Sequence, residues 1–178
     1  MGGGSLASAL GQASSKTFQR RAKIFDVTVS SSVKIAKTPA QAESELKLMS
    51  AGKTQGCLRG FVAGVLAAET HDGAKPQIVS ISKGVPSAPG TSGAYGWRMT
   101  GEFSADEVHV PFYIDLLGFT YRQANVTMFS IGLPLPFPVR AERDLFALLV
   151  ARARTAGALK LHGRGATPTV SGPRKVEV

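Results

Sequence analysis

Between residues 95 and 131 the sequence alternates apolar and polar side chains in three successive runs, at 95–103, 107–115 and 124–131. A period of two is the signature of a strand with one face in a core and the other facing out. The runs are joined by short segments, and a parallel connection needs a long crossover, so they are expected to pair as antiparallel neighbours. The stretch predicts a meander, and the rest of the chain must supply what covers it. In the middle run the even positions Val108, Val110, Phe112, Ile114 and Leu116 are apolar, while Glu107, His109, Tyr113 and Asp115 are polar or amphipathic. The even set is expected beneath helices and the odd set on a solvated face. Pro111 lacks an N–H, which places its strand at an edge or at a bulge. Gly118 predicts a further bulge or kink, and residues 122–125 the turn into the last strand.

Upstream, residues 23–29 alternate in the same way, and the serines at 30–32 lead into Val33 and Ile35 after an expected bulge. Thr38, Pro39 and Gln41 form a helix start: Thr38 caps, Pro39 fits the first turn and Gln41 completes a capping box. Gly52 is expected to end that helix. A second helix runs from Thr54 to about Thr70, with Leu58, Phe61, Val62, Val65 and Leu66 as its apolar stripe. Gly56, Gly60 and Gly64 share one of its faces and are expected to let a neighbouring element approach closely. Cys57 reads as a buried small hydrophobe. Residues 77–83 form a strand. Residues 84–93 form a long Gly/Pro/Ser/Thr loop, a candidate for binding. The Pro-rich segment 133–138 is an extended connector into a helix over 139–156, stopped by Gly157.

The expected organisation is a linker and weak helix over 1–22, one α+β domain over 23–157, and a basic Pro/Gly-rich tail over 158–178. The domain is expected to hold an antiparallel sheet of about five strands, two helices after the first strand, and a C-terminal helix packed on the sheet.

With 178 residues, 43% of them hydrophobic, the chain suits one domain with its own core and is too apolar for a disordered one. No run approaches the roughly 20 apolar residues of a spanning helix. No secretory signal is visible, and the chain is expected to be a form from which a targeting segment has been removed. A single cysteine excludes an internal disulfide and a multi-cysteine metal site. The net charge of +9 is uneven. Lys16, Arg20, Arg21, Lys23, Lys34 and Lys37 face only Asp26 near the start, and from Arg152 onward six basic residues face only Glu177. Such ends suit an anionic partner (nucleic acid, a membrane surface or an acidic protein) or serve solubility alone. Aromatics are not interleaved with these charges, so a stacking platform for single strands is not indicated.

The segment Ser30-Ser-Ser-Val-Lys-Ile35, the capped helix Thr38-Pro-Ala-Gln-Ala-Glu-Ser-Glu-Leu46 and Gly56-Cys-Leu58 follow one another in an order that resembles actinobacterial secreted or lipoprotein ectodomains. These are similar to the extracellular sensor domain of mycobacterial serine/threonine kinases and, in outline, to PsbP-like domains. Val110-Pro-Phe-Tyr-Ile-Asp-Leu-Leu-Gly-Phe119, Leu135-Pro-Phe-Pro138 and Leu145-Phe-Ala-Leu-Leu-Val-Ala-Arg-Ala153 fit the later part. The resemblance spans about residues 23 to 156 and implies an extracytoplasmic or cell-surface ligand-binding or sensing module with a cleft between sheet and helices. That sensor family usually carries disulfides, which this chain cannot form internally, and no ligand residues carry over.

No catalytic, cofactor or metal residues are expected. Glu107, His109 and Asp115 share a strand face, but their span of roughly 26 Å prevents convergence. Gly90, Gly93 and Gly96 precede no helix and make no dinucleotide fingerprint. Tyr95, Trp97, Met99 and Phe103 share one face. They are either core or the lining of an apolar cavity, and form the candidate ligand-binding set. The expected function is a non-enzymatic binding or sensing domain, with a small apolar ligand or a partner protein. The alternative is a structural subunit of a larger assembly anchored by its basic ends, with self-association open.

Overall fold

The computed structural model describes residues 9–22, 25–69, 75–105 and 108–162. Strands β1 (Gly11–Ser14), β2 (Phe18–Ala22) and β3 (Phe25–Ile35) come first, followed by helices α1 (Pro39–Ser50) and α2 (Thr54–Glu69). Strands β4 (Lys75–Gly84), β5 (Gly93–Ala105), β6 (Val108–Tyr121) and β7 (Ala124–Leu133) follow, and α3 (Val139–His162) closes the chain. The protein is α+β, with one antiparallel sheet of seven strands in the order β1-β3-β7-β6-β5-β4, and β2 also on β3.

The meander forms as its alternation requires, with Trp97 opposite Leu116 and Asp115 opposite Ser130. Pro111 lies in the stretch of β6 that extends beyond β7, where only β5 pairs with it. Thr38 caps α1 by accepting from the N–H of Gln41 at 3.1 Å, and Gln41 Oε1 accepts from the N–H of Lys37.

Several expectations are corrected. The described part of residues 5–22 is not a weak helix. It forms β1 and β2, which together edge β3. Pairing with β3 outweighs the weak helical spacing of Leu10 and Ala13, because hydrogen-bonded strands satisfy their backbone where an isolated marginal helix is short of packing. The bulge expected in β3 lies instead on this edge: Ser14 pairs with Ser32 and Phe18 with Val29, so one extra residue sits between β1 and β2. Gly157 does not end the last helix, which runs on to His162. The sheet therefore has seven strands rather than five, and the two helices follow the third.

The sheet is covered on both faces. On one, α1 and α2 pack over Tyr95, Trp97, Met99, Phe112 and Ile114, with Leu58 and Val62 of α2 inserted. On the other, α3 lays Phe146 and Val150 against Phe119, Val126 and Met128, with Phe119 and Phe146 edge to face at 5.6 Å. The odd face of β6 is thus not solvated beyond His109 and Pro111, and Asp115 is buried. Gly118 makes no bulge, since β5 and β6 stay in register past it. A side chain there would overlap the ring of Tyr95.

The outer face of α2 is open. Side chains at Gly56, Gly60 or Gly64 would meet nothing, so these glycines admit no close neighbour. Cys57 is exposed rather than buried, and Phe61 is 68% exposed beside it. The helix spends Leu58 and Val62 on the core, and a residue one position off that stripe turns outward.

Candidate functional site

Between α3, the β4–β5 loop and the α3-facing side of β5 and β6 lies a cleft of about 800 Å³. Val85, Pro86 and Pro89 of the loop form one wall, Phe146, Ala147 and Val150 of α3 the other, and Leu117 part of the floor. The long Gly/Pro loop is therefore a wall of this cleft. It is held at its far end by Ser92 N donating to Thr120 O at 2.8 Å, and inside by Thr91 Oγ1 donating to Ala88 O at 2.7 Å. Gly90 adopts φ +75°, the left-handed region where glycine carries no Cβ penalty. Arg154 of α3 packs across it.

Polar chemistry in the cleft comes from the sheet register. Arg98 on β5 lies directly opposite Asp115 on β6, and Asp115 directly opposite Ser130 on β7. Three polar residues thus form a row across the α3 face. Glu142, in the first turn of α3, descends onto that row. Arg98 donates to Asp115 through two bonds, Nε to Oδ1 at 2.6 Å and Nη2 to Oδ2 at 2.9 Å. This is the fork geometry in which guanidinium–carboxylate pairs are strongest. Glu142 Oε1 accepts from Ser130 Oγ at 2.9 Å, and Oε2 lies 3.5 Å from Arg98 Nη2.

Asp115 and Glu142 are both buried, with one cation between them. Burial pushes the Glu142 carboxyl up to about 7, and the neighbouring Asp115 charge adds to this. The Ser130 hydrogen bond and the Arg98 charge offset only part of it. Glu142 therefore changes charge near neutrality while its neighbours hold it in place. A carboxyl so tuned is able to exchange a proton with a bound molecule. Asp115 is held by its two bonds to Arg98 and serves to orient that guanidinium. Among the described residues no group of three ligating side chains is placed to hold a metal ion.

Of the residues that alternation grouped on β6, Asp115 enters the cleft. Glu107 lies outside the described residues. His109 is exposed at the other end of the strand, 3.1 Å from Ser104 Oγ and 3.7 Å from Glu102. Tyr95, Trp97, Met99 and Phe103 are together on the opposite face of the sheet. The Trp97 indole donates to Met49 O at 2.8 Å, Tyr95 bonds Thr127 at 3.0 Å, and Met99 is wholly buried. Phe103 packs at 5.0 Å on Phe112. Tyr95 also borders a smaller hollow of about 240 Å³ beside Glu45 and Asn125.

Sequence reasoning did not single out Arg98, Ser130 or Glu142. A signal for two of them was present. Opposite charges at Arg98 and Asp115 are cross-strand partners once Ala105 is set opposite Val108, and Ser130 follows from the register of β6 with β7. Glu142 carried no such signal, because an acidic residue in the first turn of a helix is already accounted for by the helix dipole.

No family model, curated protein or solved structure matches the chain.

Proposed function

We propose that this chain is a non-enzymatic binding or sensing domain of an extracytoplasmic compartment, and that the cleft beside α3 is its ligand site. The observation that carries the reading is a largely apolar cleft of about 800 Å³ with an oriented polar cluster at its base. That size and composition suit a small molecule, with polar groups few and placed. The binding reading is supported by how the polar groups hold one another: Asp115 is tied to Arg98, and Ser130 donates to Glu142. The extracytoplasmic part rests on the sequence resemblance alone.

Native mass spectrometry of the purified chain tests this. The expected result is a retained small molecule, one per chain, which is lost in the variant Ala147→Trp that fills the cleft from an exposed position on α3. A bare chain that also fails to take up any small apolar compound would overturn it. The reading of a structural subunit has one observation in its favour: β2 carries Phe18, 66% exposed, beside Arg20 on the sheet edge. Edge strands of this kind template pairing with another chain. A stable complex lost on Phe18→Glu, with the cleft empty, would favour it.

A further inference from the structure

The cleft holds an unused half of a guanidinium. Arg98 has five N–H donors in a planar fork. Asp115 takes the Nε and Nη2 edge, and Glu142, at 3.5 Å from Nη2, is too far for a good hydrogen bond. Among the described residues nothing bonds Nη1. The side chain is 41% exposed and lines the cleft. Nη1 on its outer edge is thus oriented by Asp115 and left without a described acceptor, while Nη2 meets, besides Asp115, only the long Glu142 contact. Arg143 follows Glu142 on α3, lines the same cleft, and pairs with no described carboxylate. The wall running from there along α3 is Phe146, Ala147 and Val150, and Arg154, at the Gly90 turn, lies roughly 16 Å along the helix from Arg143.

We propose that the ligand is an anionic amphiphile, with an apolar chain along Phe146 and Val150 and a carboxylate-type head on the free edge of Arg98 and on Arg143. The inference rests on the cleft being the ligand site. A cationic ligand would set its charge against both arginines. A neutral one would strip water from the Arg98 edge without replacing it, which leaves a buried donor unsatisfied. An oxygen pair on a planar head matches the open edge as Asp115 matches the other.

Head-group binding also brings a further negative charge to the cluster. Glu142 faces Asp115 from β6, Arg98 from β5 and Ser130 from β7, with Arg143 next to it on α3. With the head competing for Arg98, Glu142 takes up a proton. Affinity is therefore expected to rise as pH falls from about 8 to about 6.

Calorimetric titration with decanoate, decanol and decyltrimethylammonium, each below its micelle concentration, tests this. Decanoate is expected to bind one per chain, and the other two at least about tenfold more weakly. Arg143→Gln changes an exposed residue. It is expected to weaken decanoate about three- to tenfold and leave decanol unchanged. Glu142→Gln, which mimics the protonated acid, is expected to flatten the pH dependence. Equal binding of all three probes, indifferent to Arg143→Gln but abolished by Ala147→Trp, overturns the anionic head and leaves the cleft as a ligand site. Failure of every probe to bind overturns both.

Discussion

Tyr95 occupies the space that a side chain at position 118 would need. Its ring lies over the Gly118 backbone, and its hydroxyl is anchored on Thr127 at 3.0 Å. The ring is buried and cannot yield. Gly118→Ala is therefore expected to destabilise the protein by about 2–3 kcal/mol, measured by chemical denaturation. Most of that loss should vanish on a Tyr95→Leu background, and additive losses would show that the two sites are independent. Glu142 sets a different signature. Its carboxyl is raised from an ordinary 4.5 to about 7, so the folded state binds this proton more tightly than the unfolded one. Its contribution is fully present below about pH 4.5 and is lost as pH rises through about 7, amounting to about 2 kcal/mol once solvent screening in the cleft is allowed for. A denaturation series across that window should slope downward in the parent and flatten in Glu142→Gln. Cys57 is exposed on α2. Its thiol is expected to react with a maleimide in the native protein to one label per chain, at a rate that mild denaturant leaves unchanged. Protection until global unfolding would contradict that placement.

Among the elements, α1 shows how one side chain fixes a helix. Glu45 accepts from Lys34 Nζ of β3 at 2.8 Å and Asn125 Nδ2 of β7 at 2.7 Å, and from Gln41 on its own helix. Burial alone would raise this carboxyl, but the three hydrogen bonds and the Lys34 charge together hold it below the usual range. Its contribution is thus present above about pH 4.5 and lost as pH falls through its lowered value, opposite in sense to Glu142. Glu45→Gln should cost about 1 kcal/mol near neutrality and less in acid, as thermal melts at the two pH values would report. The start of α1 was legible because Thr38, Pro39 and Gln41 act locally, through the backbone of one turn. The edge strands were not, because β1 and β2 owe their conformation to β3, and residues 11–22 carry no strong alternation to announce it. The end of α3 was misplaced for a related reason. One interior glycine costs only about 1 kcal/mol, and Ala156, Ala158, Leu159, Lys160 and Leu161 around Gly157 all favour helix.

At the scale of the molecule, the sheet is a partition with a separate core on each side. The meander and the helices over Tyr95, Trp97 and Met99 could be read from period alone. The second covered face could not be read from residues 107–115, where the odd positions other than Pro111 are polar or amphipathic. Its trace lay further along, where Leu116, Leu117 and Phe119 put apolar groups on both parities, as a strand buried on both faces requires. The cleft lies on that second face, so alternation pointed away from it. Arg98 and Asp115 looked like surface charges because each is polar on its own strand, and only the register brings them together. The pairing of β3 with β7 has a further consequence. Ile35 sits opposite Ala124, so a growing chain holds β3 ready long before its central neighbour has been made. The two ends of that gap must be brought together at a large entropic cost before any ladder bond repays it. Synthesis from the N-terminus therefore leaves β3 with one flank open until β7 has been made, and α3, which completes the cleft, follows β7 in the chain.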